Sequence, residues 1–382
     1  MKIALIHDWV VEPGGAEKCL QSFHQLYPEA PLYTLLYRAS SLEALGFDLS
    51  RVEASLLQRP GVIKRYRSYL PFFPYAIEQF DLSDFEVILS SSHCVAKGVL
   101  TNSQQIHICY CHTPVRYAWD LTHHYLKENR LQKGFKSTLA RAVLHYIRLW
   151  DGCASSRVDY FVANSRYTAA RIWRSYRRKA EVIYPPVNTE QFAVSKRKAE
   201  YFLFVSRLVR YKRADLVVAA FTQLGLPLVV VGDGPEKEHC QALAGKNIEF
   251  VGYRNNEELS SLMAGARALV FAAHEDFGIV PVEAQAGGTP VIAFGQGGAT
   301  ETVIPADGHN WHEATGVFFQ EQEIASLVKA VVAFLNWEGR FDAEVIRLNA
   351  RRFNQERFKQ EIQDCVKSKY ENYLSRRRDK QS

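Results

Sequence analysis

The stretch His274–Thr300, HEDFGIVPVEAQAGGTPVIAFGQGGAT, follows an apolar run, Ala268–Ala273 (ALVFAA), that predicts a buried strand. The run breaks at His274-Glu275-Asp276, and Gly278 lets the backbone turn sharply. Pro281 suits the first turn of a helix, where a missing N–H costs nothing. Gly287-Gly288 stop that helix, and Pro290–Phe294 begins the next strand. The result is a βαβ unit with two carboxylates at its ligand-facing end. Glu275 stands in the loop and Glu283 in the opening turns of the helix.

A helix start exposes unpaired N–H groups and carries partial positive charge, so it suits a phosphate. The amides of Phe277, Gly278 and Ile279 can surround one. Carboxylates beside it are poor phosphate ligands but good acceptors for sugar hydroxyls. One glutamate could hold a transferred sugar and the other a nucleoside ribose. The pattern points to a sugar attached to a diphosphate. The same two residues also fit a solvated helix glutamate and a loop charge.

Glu275 and Glu283 match the E-x7-E motif of retaining glycosyltransferases, and the chain resembles glycosyltransferase family 4 (GT4) along nearly its whole length. Within that family, DWVVEPGGAEK (8–18) and YCHTPVRYAWD (110–120) look most like bacterial mannosyltransferases of the WbaZ type. The resemblance implies an α/β fold of GT-B architecture, two Rossmann-like doubly wound parallel-sheet domains facing a cleft, with the donor held mainly by the second.

Other residues bear on that expectation. Lys2–His7 predicts the first strand, and Pro13-Gly14-Gly15 a glycine turn opening a helix; it is not the G-x-G-x-x-G of a dinucleotide fold. In the resemblance this loop closes over the donor diphosphate. Short strands at Pro31–Leu36, Val52–Leu56, Glu86–Ser90, Ile106–Cys111 and Tyr160–Ala163 alternate with helical segments, as in a parallel sheet. His112 falls just past a strand end, where doubly wound folds bind ligands. In relatives a histidine at the matching position contacts the transferred sugar. His123 and His124 follow it without a zinc-ligand spacing. A long helix is expected over Leu131–Val158, along the acceptor side, and Pro185-Pro186 stiffen a linker.

After the strand Tyr201–Val205 come Arg207 and Lys212, a bidentate cation and a mobile one. They fit the family pattern R-x4-K, which implies neutralisation of the leaving nucleoside diphosphate. No D-x-D motif stands in a loop, so no cofactor and no required metal are expected. Tyr253–Asn256 is expected to lie against the nucleobase. The catalytic set is therefore His112, Arg207, Lys212 and Glu275. The donor-binding set is Gly14, Gly15, Arg207, Lys212, Tyr253, Phe277, Gly278, Ile279, Val280 and Glu283.

Hydrophobic content of 47% with 23% charge is that of a globular protein. No apolar run approaches the ~20 residues that span a bilayer, and KIALIH ends at Asp8, unlike a signal peptide. The seven cysteines show no C-x-x-C spacing and read as core residues in a reducing cytosol. From Arg347 onward 11 Lys+Arg face 5 Asp+Glu, a balance of +6 that equals the whole chain's. This basic tail suits an anionic membrane surface or a solvated terminus. Arg59–Pro74 (RPGVIKRYRSYLPFFP) mixes cations with aromatics, as an interfacial segment does, or as core aromatics with snorkelling cations do.

The expected domains are 1–187 on the acceptor side, 188–353 for the nucleotide sugar, and 354–382 as a helix crossing back to the first. The expected activity is a retaining, metal-independent hexosyltransferase moving mannose from GDP-mannose to a glycan or polyprenyl-linked acceptor. The expected location is the cytoplasm, including the inner membrane face, with no nucleic-acid partner. Open alternatives are a UDP-sugar-dependent transferase, a sugar-nucleotide epimerase of the same architecture, and a non-catalytic sugar-nucleotide-binding module.

Overall fold

Two parallel sheets carry the chain. The computed structural model describes all residues except 13, 130, 196 and 380–382. Its contacts divide it into one unit of Met1–Pro186 with the chain from Phe358 onward, and a second of Val187–Arg357.

The first unit's strands are β1 (Ile3–His7), β2 (Leu32–Thr34), β3 (Val52–Ala54), β4 (Val87–Ser92), β5 (Ile106–Cys111), β6 (Tyr160–Ala163) and β7 (Ala180–Val182). They lie in the order β3-β2-β1-β4-β5-β6-β7, every pair parallel. Successive strand residues face opposite sides, and here both sides are apolar. Ile3 and Leu5 join one core with Leu89, Ile108, Phe23 and Phe358, whereas Ala4 and Ile6 join another with Ile88, Leu35, Phe73 and Ile77. Phe358 and Ile362 come from the final helix, Gln355–Asp379. The Phe358 ring lies 5.8 Å from Phe23 and 5.6 Å from Tyr110.

The second unit's strands are β8 (Phe202–Val205), β9 (Leu228–Val231), β10 (Ile248–Gly252), β11 (Leu269–Phe271), β12 (Val291–Phe294) and β13 (Gly316–Phe319). Their order is β10-β9-β8-β11-β12-β13, again all parallel. Phe202, Phe204, Val230, Val270 and Ile292 form its main core with Val217 and Phe221 of the helix Ala214–Leu224 and Leu327 and Val331 of the helix Ile324–Trp337.

Two strands were not expected from the sequence. β7 begins before the run read as a linker, and β13 was not anticipated at all. The long helix is shorter than expected, Phe135–Ala154, followed by a 3-10 turn at Ser155–Arg157. All seven cysteines are free thiols, six of them buried. No helix among the described residues is long and apolar enough to cross a membrane.

Candidate active site

In each sheet the strand order reverses about the first strand, leaving a crevice at the carboxyl ends where open α/β folds bind ligands. In the first unit that point lies between β1 and β4, and in the second between β8 and β11.

In the second unit, β8 leads into Ser206 and Arg207, and a 3-10 turn at Arg210–Lys212 follows. Leu208 is buried and anchors this loop, while Arg207 is exposed. Arg213, directly after Lys212, holds φ 57°, the left-handed region that non-glycine residues seldom adopt. Its guanidinium donates to the Gln322 carbonyl at 3.3 Å, which helps hold this turn. The turn places Lys212 in an ion pair with Glu275, which follows the neighbouring strand β11. The two side chains are 18% and 16% exposed, so the pair is sheltered but reachable.

The helix predicted after β11 spans Ile279–Ala286, with Gly278 at its start at φ 86°. Glu283 on it is buried at 7% exposure, not a solvated helix residue. The helix is fixed from behind by Gln285, which donates to the Pro281 and Thr302 carbonyls and accepts from Asn349 at 2.7 Å. Phe277 turns inward against Phe353, with 5.5 Å between rings, so only its backbone is offered to a ligand. The next loop holds this one in place: the Gly298 amide donates to the Glu275 carbonyl at 2.8 Å. A Cβ at Gly298 would lie 2.2 Å from the Phe277 Cα, so only glycine allows that approach. Ile279 and Val280 are partly exposed in the first turn. Tyr253 is 80% exposed past β10, whereas Asn255 caps the helix Asn256–Gly265 in a capping box with Glu258.

In the first unit, His112 directly follows β5 and is 9% exposed. Its Nε2 pairs with Ser91 Oγ at 2.8 Å, and its carbonyl accepts from Asn164 at 3.0 Å. Burial, then the neighbouring His93 and His7, holds its pKa well below the ordinary histidine value, so the ring is neutral at pH 7. His123 and His124 are exposed, and the described residues contain no group of three or more metal-ligating side chains. Gly14 is extended and starts the helix Gly15–Leu26, and Pro13 lies outside the described residues. A Cβ on Gly14 would lie 2.9 Å from Glu17 Oε2, so the acid of the first turn stands at this helix start.

Sequence reading missed the company His112 keeps. His7 and Asp8 end β1, and His93 follows β4, in the crevice of the first sheet. Asp8 accepts four backbone N–H groups, from His93 at 2.6 Å, Cys94 at 2.9 Å, Val95 at 2.5 Å and Ala96 at 2.7 Å. Burial alone would raise its pKa, but His93, His7 and these amides outweigh it and the net shift is down. Burial also keeps the pKa of His93 below its ordinary value. Glu17 lies 3.8 Å from His7 Nε2; burial opposes its ionisation, but His7 brings its pKa down. Polar residues closing buried apolar strands, as in IALIHD and VILSSSH, were the available signal.

Residues 187–353 match the family model described as glycosyl transferases group 1, and residues 14–191 match the one described as Glycosyltransferase Family 4. The chain is 30% identical over 229 residues to the GDP-mannose-dependent alpha-(1-6)-phosphatidylinositol monomannoside mannosyltransferase of Mycobacterium tuberculosis, covering 52% of this chain and 56% of that one. It is 26% identical over 292 residues to the human alpha-1,3/1,6-mannosyltransferase ALG2, covering 66% and 65%. The chain spans about half the length of the first curated relatives it matches. Among solved structures, Anabaena Alr3699/HepE in complex with UDP superposes with a TM-score of 0.68 at 19% identity, covering 96% of this chain and all of that one. That likeness shows the GT-B fold. The two family matches, adjoining and in order, show that the chain belongs to the family 4 glycosyltransferases.

Proposed function

We propose that the chain is a retaining hexosyltransferase that moves mannose from GDP-mannose to a glycan or polyprenyl-linked acceptor in polysaccharide or glycolipid assembly. The observation that carries this reading is the meeting of Lys212 and Glu275 at the β8–β11 crevice, beside the helix that begins at Ile279. A cation, a carboxylate and a helix start suit the diphosphate and the sugar of one donor. Two relatives of this chain carry mannosyltransferase names, and one of them is named for GDP-mannose.

In this reading Arg207 and Lys212 neutralise charge building on the leaving diphosphate, assisted by the amides of the Ile279–Ala286 helix start. Glu275 orients the transferred sugar, Glu283 accepts from the ribose, and neutral His112 hydrogen-bonds a sugar hydroxyl. The bond from the anomeric carbon to the diphosphate oxygen breaks, and its electron pair leaves with the diphosphate. The acceptor oxygen bonds to the same face, and its proton passes to a leaving phosphate oxygen. With two cations supplying the charge, the step needs no divalent metal. Such preorganised electrostatics is usually the largest catalytic contribution, about 3 kcal/mol per donor. The cytoplasm is the proposed location.

Thermal shift with GDP, UDP and ADP, each in EDTA and again with magnesium, tests the donor. Ligand at a hundred times its Kd should add about 2.7 kcal/mol, a rise of a few degrees. A GDP-selective rise that survives EDTA supports the reading, and NMR of the product from GDP-mannose then reads the anomeric configuration. The UDP-sugar alternative has its own support, since HepE was solved with UDP and with UDP-glucose; a UDP-selective rise would favour it. Free nucleotide released without an acceptor would favour an epimerase, and donor binding without turnover a silent binding module.

A further inference from the structure

The helix Phe135–Ala154 carries two apolar stripes. One, with Leu144, Ile147 and Ala154, is buried. The other points to solvent: Phe135 is 83% exposed, Leu139 56%, Tyr146 44% and Leu149 58%. These four recur at helical spacing along one face. Single exposed apolar residues are unremarkable, but a continuous stripe this size marks an interaction surface.

The Arg59–Pro74 segment packs on the buried stripe of the same helix: Leu70 lies against the cluster of Val115, Ala118 and Ile147. The segment splits between the two readings its sequence left open. Phe73 is buried, and Tyr66, Tyr69 and Leu70 pack on the core, whereas Phe72 and the neighbouring Tyr75 are each 57% exposed. Arg59, Lys64, Arg65 and Arg67 all reach solvent.

The charge of this region is one-sided. Arg59–Ile77 holds four basic residues and no acidic one, and Asn129–Trp150 holds five and none, in a chain whose whole balance is +6. A second copy of the chain would bring the same cations against these, which repel. Phe135, Tyr146, Phe72 and Tyr75 are rings on which a base could stack, but the exposed Leu139 and Leu149 between them gain nothing from a nucleic acid and bury well in acyl chains. Apolar side chains at headgroup depth with cations around them suit a bilayer carrying anionic lipid. We infer that the exposed stripe Phe135–Leu149 and the basic segment Arg59–Tyr75 form a docking face for an anionic membrane surface. This goes beyond the proposed transfer reaction and does not rest on it.

The test is co-sedimentation of the full chain with vesicles of phosphatidylcholine, and of phosphatidylcholine with phosphatidylglycerol in equal parts, with neither donor nor acceptor present. The chain should pellet with the anionic vesicles only. Phe135→Glu with Leu139→Glu should stay in the supernatant while melting like the parent, since both side chains are exposed. Each basic residue near the surface contributes about fivefold, so Lys64→Glu with Arg65→Glu should lower partitioning roughly twentyfold or more. A parent that pellets with neither vesicle overturns the inference, as does an F135E/L139E variant that pellets like the parent. A parent that is a dimer without pelleting, and a monomer once carrying F135E/L139E, overturns it in favour of self-association. Binding to polyuridylate without pelleting overturns it in favour of nucleic acid.

Discussion

Lys212 and Glu275 form an ion pair at the carboxyl ends of adjacent strands. The cation assigned to the diphosphate is thus also the partner of the carboxylate assigned to the sugar. Donor binding has to divide that charge between two partners.

The first prediction follows from this competition. Glu275→Gln removes the internal partner of Lys212 and should tighten GDP binding by about fivefold, as for a sheltered pair of about 1 kcal/mol. The same variant should slow transfer about a hundredfold, because the sugar loses its orienting carboxylate. Lys212→Ala should weaken GDP and slow transfer together. Calorimetric titration with GDP and initial rates with GDP-mannose separate the two patterns. Weaker GDP binding by E275Q would mean that Glu275 contacts the nucleotide, and the assigned roles would fail.

Gly298 provides a second test, one that adds a methyl group and changes no charge. An added Cβ would meet the Phe277 Cα at 2.2 Å and the Asp276 carbonyl oxygen at 2.5 Å. Gly298→Ala must therefore push away the loop that carries Glu275. Overpacking of this kind costs about 1–3 kcal/mol. GDP affinity should fall roughly tenfold, and the drop in Tm should be recovered in part when saturating GDP draws the loop back. A variant with parental GDP affinity would show that this loop does not build the donor site.

How much of this was readable in the residues depended on range. β5 and β6 fall where the sequence placed them because IHICYC, interrupted only by His107, and YFVA are apolar runs with polar stops. The helix after β11 was legible because Gly278 and Gly287 punctuate it. β7 was not legible: it has three residues, its middle one is Glu181, and it sits at a sheet edge. The grouping of His7, Asp8, His93 and His112 was beyond reach as well. It exists only because β1 pairs with β4 and β4 with β5, and no local pattern encodes that order.

A buried charge pair in the first unit shows the same point and is testable. Lys97 and Asp151 are wholly inaccessible to solvent and meet at 2.5 Å. Asp151 also accepts from Trp119 and Tyr176, each at 2.7 Å, and Lys97 donates to the Cys94 carbonyl at 2.6 Å. Burial opposes the ammonium, but Asp151 outweighs it and raises the Lys97 pKa, so Lys97 stays charged at neutral pH. Removing one partner strands the other. Lys97→Met should cost about 3–5 kcal/mol by chemical denaturation, and K97M with Asp151→Asn should recover part of that. Strict additivity of the two losses would show that they are not coupled.

His107 gives the pH dependence its sign. It lies in β5, wholly buried, with Nε2 2.8 Å from Ser90 Oγ. Burial lowers its pKa from 6.5 to about 3, and a backbone contact at Arg157 only partly opposes this. A folded pKa below the unfolded one means that the unfolded chain takes up the proton first. Stability is therefore unaffected above about pH 6.5, is lost as pH falls from there, and stops changing below about pH 3. At pH 4 the loss from this one residue is about 3 kcal/mol. His93 and His112 are shifted the same way and add to it. His107→Gln keeps a hydrogen-bonding group near Ser90 but cannot titrate. It should be less stable than the parent at pH 7, through poorer packing, and should lose about 3 kcal/mol less between pH 7 and pH 4. Urea denaturation at stepped pH measures both curves. Parallel curves would mean that His107 is protonated in the fold.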